Sequence, residues 1–394
     1  MQKNLRGLTF AILSISLLTV MAGAAMAPAL GAIREHFADY SAMTVQLIVS
    51  LPALTIILTT FLFRPLCRLM RTRTLALTGL LLYVLAGAGA FMVDNMGWLL
   101  VLRALLGVSV GMVMPLSTGL LSFYFAPEEQ SRLMGLSAAM NQMGGVVATL
   151  LAGVLATVEW RYAFLVYLAG LLALVLVSIF LPNESLRGNA PAGDDAQQRA
   201  AKPSTLKLLK RFHPSVTAMF LTMLLFFVYP TNFALTAHGQ GIDTLTTTLI
   251  MVGLDVVAFV IGLCFGGLMR RLRRQMKYVA PLGFVGGYAL LAFVPGMGGM
   301  IAGSALIGVA NGVGVPYLNT IASIKGGRDA AVTVMPLISA ALYLGQFVSP
   351  LVVSPLARLI GSASAPYIVA VGIGVLFLIQ MYLTRRQQAL PPAA

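Results

Sequence analysis

Along this chain the apolar residues fall in long runs, and the polar residues gather between them. A helix needs about 20 mainly apolar residues to cross a hydrocarbon core roughly 30 Å thick. Twelve runs meet that length, over residues 8–30, 44–63, 74–93, 98–123, 133–158, 162–181, 214–237, 244–269, 278–294, 300–322, 330–356 and 365–383. Most connections are short. The exception is 182–213, whose PNESLRGNAPAGDDAQQRAAKPS portion is rich in Pro, Gly, Ala and charge and reads as a flexible cytoplasmic linker. The pattern therefore predicts an all-α membrane protein with six spans in 1–181, a linker, and six spans in 214–394. Lys3 and Arg6 before an apolar run that reaches Ala25-Met26-Ala27 also resemble a cleavable signal peptide. The segment is read as an uncleaved first helix, because cleavage would leave the first half one span short.

Composition agrees with the spans. Of the 394 residues 59% are hydrophobic and 10% charged, whereas soluble domains carry about 25% charged residues. The net charge of +14 would by itself suggest a nucleic-acid partner, but its placement says otherwise. With a cytoplasmic N-terminus, 22 of the 26 Lys and Arg fall on the cytoplasmic side, all but Arg34, Arg103, Arg161 and Arg358. That bias puts both termini in the cytoplasm of a cell inner membrane, with the basic residues against anionic lipid headgroups. Nucleic acid is not an expected partner.

Two cysteines, Cys67 and Cys264, cannot build a disulfide framework, and no Cys/His cluster has metal-ligand spacing. His36, His213 and His238 lie at or beyond span ends. No phosphate-binding loop or nucleophile elbow occurs. The chain is therefore not expected to be an enzyme, and no cofactor is expected; an ion gradient is the available energy source.

The two halves repeat. Gly107, Gly111 and Pro115 in GVSVGMVMP recur as Gly308, Gly312 and Pro316 in GVANGVGVP, and the basic RPLCRLMRTR after the second span recurs as GGLMRRLRR after the eighth. Such punctuation marks a duplicated membrane unit. In this the chain resembles the major facilitator superfamily over nearly its whole length. The family's loop motif G-x-L-x-D-R-x-G-R-R aligns with Arg64, Leu66, Arg68, Leu69, Arg71, Thr72 and Arg73, with Arg68 at the acidic position. Arg103, Gly107 and Gly111 match the fourth-span motif. Gly144 and Gly153 match half of the fifth-span antiporter motif, where Ala148-Thr149 replace Gly-Pro. Trp160-Arg161-Tyr162-Ala163-Phe164 is similar to the W-R-x-x-F that opens the sixth span of drug:proton antiporters. The resemblance implies two pseudo-symmetric six-helix bundles, the major facilitator fold, and the twelve-span drug:proton antiporter branch.

Ionisable groups at membrane depth are costly and mark functional sites by default. Asp255 stands about eleven residues into the 244–269 run, where burial disfavours the charged carboxylate and favours proton uptake. It is the expected proton carrier, with helix packing as the alternative. Arg103 lies roughly a turn and a half below the outer end of the fourth span. The resemblance implies a role in proton coupling; the alternative is that its stem snorkels to outer headgroups. Asn141, Gln142, Tyr229, Asn232, Asn311, Tyr343 and Gln346 are candidate substrate-cavity residues, each of which could equally bond a facing helix. A cytoplasmic gate could pair Arg68, Arg71 or Arg73 with Glu128 or Glu129, and Arg270, Arg271 or Arg273 with Asp329. The alternative is that these charges only set topology.

The expected activity is transmembrane transport by alternating access: proton-coupled efflux of a small amphipathic compound by a monomer, with protons, substrate and lipid as partners. Import of a metabolite by proton symport is the alternative, and a sensor or scramblase a more distant one.

Overall fold

The computed structural model is all-helical and describes residues 2–125, 127–182, 205–326 and 330–384. Most of the linker, 183–204, lies outside them, as do Asp329 and the side chains of Arg68 and Glu128. Contacts divide the chain into two compact units, Met1–Ala190 with Ala237–Leu249, and Pro191–Thr236 with Ile250–Ala394. The first unit holds α1 (Gln2–Ala24), α2 (Leu30–His36), α3 (Ala42–Leu69), α4 (Thr72–Ala88), α5 (Met96–Tyr124), α6 (Pro127–Ala156) and α7 (Ala169–Phe180), with 3-10 helices at Gly89–Met92 and Trp160–Leu168. The second is built from α8 (Thr205–Gly239), α9 (Thr244–Leu272), α10 (Met276–Phe293), α11 (Met297–Gly326), α12 (Ala330–Ile360) and α13 (Ala365–Leu383). The end of α8 and the start of α9 are the part of this set that packs with the first unit.

Among the described residues eleven stretches are long and apolar enough to span a membrane. One of them, Thr244–Phe293, is 50 residues long and contains both α9 and α10. Large apolar side chains such as Phe61, Leu172, Leu263 and Leu376 are exposed on the helix surfaces, as lipid-facing positions are. Polar caps start several helices: Ser41 Oγ accepts from Thr44 N–H at 3.2 Å, Asn95 Oδ1 from Trp98 N–H at 3.2 Å, and Asp243 Oδ1 from Thr246 N–H at 2.8 Å.

Two spans differ from the continuous helices their sequence predicts. The first run breaks after Ala24 and resumes as α2, because Pro28 has no N–H to continue the ladder. The irregular backbone is tolerated because it is enclosed: Ala25, Met26, Ala27 and Ala29 are each at most 1% exposed. The sixth span opens as a nine-residue 3-10 helix before becoming α7. A 3-10 stretch that long is uncommon and marks a strained or hinge-like segment.

The repeat read from Gly and Pro spacing is a repeated helix contact. A Cβ on Gly111 would stand 3.0 Å from the Ile56 carbonyl oxygen, and Gly107 lies closer still to that of Pro52. In the second unit, a Cβ on Gly308 would stand 2.7 Å from the Leu254 oxygen and one on Gly312 2.6 Å from the Ala258 oxygen. Each unit thus presses one helix, α5 or α11, through two glycines one turn apart onto carbonyls one turn apart on another, α3 or α9. Only a residue without a side chain allows backbones so close.

Candidate functional site

The polar interior of the first unit is centred on Arg103, two turns into α5 and 0% exposed. Its Nη1 donates to Tyr167 Oη at 2.8 Å, and Tyr167 O–H donates to the Ala22 carbonyl at 3.0 Å. That carbonyl belongs to the last turn of α1, just before the break, where helical partners are missing. The guanidinium carbon also lies 4.7 Å from the centre of the Tyr167 ring and 5.3 Å from that of Phe164. Its Nε and Nη2 have no hydrogen-bond partner among the described residues. Tyr83 packs edge-on to Tyr167 at 5.6 Å and donates to the Leu18 carbonyl at 3.2 Å. The Arg103 side chain is enclosed and faces a ring cage supplied by the 3-10 segment at Trp160–Leu168. Depth along one helix could not show this, because neighbouring spans cover the residue.

The second unit repeats the tyrosines without the cation. Tyr288 donates to the Leu225 carbonyl at 2.5 Å and stacks on Tyr367 at 6.1 Å, where the corresponding Tyr83 and Tyr167 of the first unit meet edge-on. At the position four before Gly308, where the first unit has Arg103, stands Ser304. Its Oγ shares a hydrogen bond with Tyr229 Oη at 2.8 Å, and Tyr229 stacks on Phe233 at 4.5 Å. These tyrosines were not singled out in the sequence, apart from Tyr229. Their signal was present in the repeat itself, since Tyr83 and Tyr288, and Tyr167 and Tyr367, are separated by about the offset that relates the glycines.

Asp255 is half-buried on α9, next to Leu254, whose carbonyl receives Gly308. Its charge acts on the Tyr229 hydroxyl. Asp255 and Arg103 belong to different units.

The neutral candidates divide. Asn141 Oδ1 accepts from Thr19 Oγ1 at 2.5 Å, tying α6 to α1, and Gln142 beside it is exposed. Asn232 is 4% exposed; its Nδ2 donates to the Val228 carbonyl at 2.9 Å and to Thr231 Oγ1 at 3.0 Å. Tyr229, 2% exposed, is engaged by Ser304. Gln346 Nε2 donates to Met223 Sδ at 3.7 Å, between α12 and α8. Asn311 Oδ1 is enclosed with no hydrogen-bond partner among the described residues, and Tyr343 is half-buried on α12. Asn141, Tyr229, Asn232 and Gln346 therefore bond within or between helices of one unit.

In the basic loops Arg73 donates to the Ser178 carbonyl, while Arg71, Glu129, Arg270, Arg271 and Arg273 are exposed. Among the described residues the ion pairs lie elsewhere. They are His36–Asp94 at 2.7 Å, Arg161–Asp94 at 2.7 Å, Arg161–Glu159 at 3.4 Å and His238–Glu35 at 3.2 Å, all at the ends of spans opposite the basic loops. Among those residues no group of three or more His, Cys, Asp or Glu has the geometry of a metal site.

The comparisons with known proteins agree with a helical transporter. Residues 10–350 match the family model described as Major Facilitator Superfamily. A multidrug transporter protein, MdtP of Bacillus subtilis (strain 168), is 23% identical over 112 residues, 28% of this chain and 21% of that protein. The match thus spans about a fifth of that relative's length. Among solved structures, a bacterial homologue of the human lysosomal transporter Spinster, inward-facing and unoccupied, is similar with a TM-score of 0.78, 14% identity and 98% of both chains covered. A D-xylose-proton symporter gives 0.75 at 15% identity, covering 98% of this chain and 100% of that one. The nucleoside transporter NupG gives 0.72 at 11%, with the same coverage. At such identities these structures speak to the fold alone. The chain is a multi-pass membrane transporter, not an enzyme, and it belongs to the major facilitator superfamily.

Proposed function

We propose that this protein is a proton-coupled exporter of small amphipathic organic compounds, working by alternating access between two six-helix bundles with both termini in the cytoplasm. The observation that carries the reading is the scarcity of acid at membrane depth. Of the 12 Asp and Glu, Asp255 is the one placed well inside a span, and its half-buried carboxylate is within electrostatic reach of Tyr229. A carboxylate so placed takes up a proton from one side and releases it to the other, and its change of charge alters the cost of each bundle arrangement. Arg103 supplies the opposite charge in the other unit.

The export direction is supported by the W-R-x-x-F at 160–164 and by the partial relation to a multidrug transporter. Import by symport is the second reading, favoured by Ala148-Thr149 where the antiporter motif has Gly-Pro. The cytoplasmic gate belongs to the proposal as well: Arg68, Arg71, Arg73, Arg270, Arg271 and Arg273 engage Glu128, Glu129 and Asp329 in one of the alternating states. Gln142, Asn311 and Tyr343 remain the cavity candidates of this reading.

The test uses purified protein in liposomes under an imposed proton gradient, with a panel of cationic, neutral and anionic compounds. Export predicts accumulation against the proton movement for amphipathic members of the panel. Accumulation in the direction of proton flow would establish the symport reading instead.

A further inference from the structure

The turn between α9 and α10 holds Arg270, Arg271, Arg273 and Arg274, all of them exposed. Among the described residues none of the four makes a hydrogen bond or an ion pair, whereas Arg73, in the basic loop of the first unit, is held by the Ser178 carbonyl. Arg273 has a φ of 43°, a left-handed backbone that glycine enters freely and a residue with a side chain enters at a cost. A cation is kept there all the same. Lys277 follows on α10, 7% exposed, with its Nζ 4.7 Å from the centre of the Tyr278 ring. No described carboxylate pairs with it, and an enclosed ammonium calls for an anion beside it.

We propose that the turn 270–277 is a binding site for the phosphate headgroup of an anionic phospholipid in the adjoining leaflet.

The surroundings fit a lipid. α9 and α10 make up one apolar stretch, Thr244–Phe293, and no other of the eleven spanning stretches is so little enclosed. Leu263 on α9 is 70% exposed and Leu282 on α10 is 54% exposed, so acyl chains can cover the helices that the turn joins. At the end of such helices the anions in reach are headgroup phosphates. Between Asp255 and Asp329 the chain has no acidic residue. The ammonium of a zwitterionic headgroup therefore finds no counter-charge on the turn, α10 or α11, and the net-negative headgroup is the one that fits.

This goes further than the general bias of basic residues to one side, which attracts any anionic surface and binds no lipid in particular. The turn combines guanidinium forks, whose paired N–H groups match phosphate oxygens, with an ammonium fixed beside an aromatic ring. A site of that kind saturates with one lipid. Arg274 and Lys277 stand outside the proposed cytoplasmic gate, so the lipid can be tested without disturbing it.

The experiment needs neither substrate nor gradient, so its outcome is independent of the transport reading. Full-length protein in a neutral detergent is titrated with dioleoyl phosphatidylglycerol or with dioleoyl phosphatidylcholine, which share their chains, and lipid adducts are counted by native mass spectrometry. The first phosphatidylglycerol should bind at least about fivefold more tightly than phosphatidylcholine, and each basic residue removed from the turn should cost about fivefold of that affinity. Arg274→Gln, at an exposed position, tests this even if the enclosed Lys277 resists substitution; Arg274→Gln with Lys277→Gln should bring the two lipids within about twofold of each other. Lys207→Gln with Lys210→Gln removes the same charge from the start of α8 and should leave the preference intact. Equal affinity for the two lipids in the parent would overturn the proposal. So would a preference that survives in both turn variants, or one that falls as far in the α8 variant. Displacement of phosphatidylglycerol by glycerol 3-phosphate at equal concentration would also overturn it, by assigning the turn to a free phosphate compound.

Discussion

Arg103 and Ser304 stand at the same place in the two units, four residues before the first glycine of the contact that joins α5 to α3 in one and α11 to α9 in the other. Around both, a tyrosine, Tyr83 of α4 or Tyr288 of α10, donates to a carbonyl of α1 or α8 and packs on Tyr167 or Tyr367. One unit puts a guanidinium beside this frame and the other a hydroxyl. The second unit instead carries Asp255 on its second helix, where the first has Ala53, each following the residue whose carbonyl receives a glycine. The packing is common to both units while the charges differ, with Arg103 in one and Asp255 in the other. Retained glycines report how the bundle is built.

Magnitudes support separating the two roles. Placing an arginine in a span costs about 2.5 to 3.5 kcal/mol on insertion scales. Against that stand one charge-assisted hydrogen bond, about 1.5 to 3 kcal/mol, and ring contacts of up to about 2 kcal/mol. These nearly cancel, so Arg103 adds little to stability and its presence calls for another reason.

The comparison can be broken first at the shared contact. Gly107→Leu and Gly308→Leu should fail alike, because the opposing atoms are backbone carbonyls that cannot yield; each should cost at least about 3 kcal/mol and abolish the monodisperse peak in size-exclusion chromatography. Tolerance of one but not the other would show that the two contacts are not equivalent. Next is the charge itself. Arg103→Met should leave the melting temperature within a few degrees, about 1 kcal/mol, while gradient-driven transport falls at least about tenfold. A melting temperature that collapses together with transport would make Arg103 a packing residue.

The tyrosines give a finer contrast. Tyr167→Phe strands the Ala22 carbonyl and removes the one hydrogen bond of the guanidinium, and should cost about 2 to 3 kcal/mol; Tyr229→Phe leaves only Ser304 to find a new partner and should cost about 1 kcal/mol. Thermal unfolding of both variants in one detergent measures the difference, and equal costs would remove the distinction drawn between the units. The smallest effect belongs to Asp94. Its folded carboxyl is held low by His36 and Arg161, so its contribution is present above the ordinary aspartate range and fades as pH falls through the folded value. Asp94→Asn should lower the melting temperature slightly near neutral pH and converge with the parent in strong acid. A gap that widened with acid would reverse that assignment.

Much of this was legible in the sequence. Run length located the helices, and the spacing of Gly107, Gly111 and Pro115 against Gly308, Gly312 and Pro316 announced the repeated contact before any contact was known. The breaks were harder. Pro28 lies inside an apolar run whose hydropathy does not change there, and nothing in Trp160–Leu168 distinguishes a 3-10 turn from an α-turn. The setting of Arg103 was out of reach for a different reason: its cage comes from Phe164 and Tyr167, about sixty residues away, and ordinary aromatic residues in apolar runs carry no local signal. The polar candidates also show that type and depth do not separate roles, since Asn141 and Asn232 make bonds within their own unit while Asn311 leaves its oxygen unpartnered.

The central claim is that Asp255 carries the proton. It is tested most directly by comparing the parent and Asp255→Asn in the same liposomes, measuring substrate accumulation under an imposed pH gradient beside equilibrium substrate binding in detergent. The account predicts that binding persists within a few-fold while accumulation against the substrate gradient is lost and only downhill exchange remains. Undiminished gradient-driven accumulation in Asp255→Asn would contradict it.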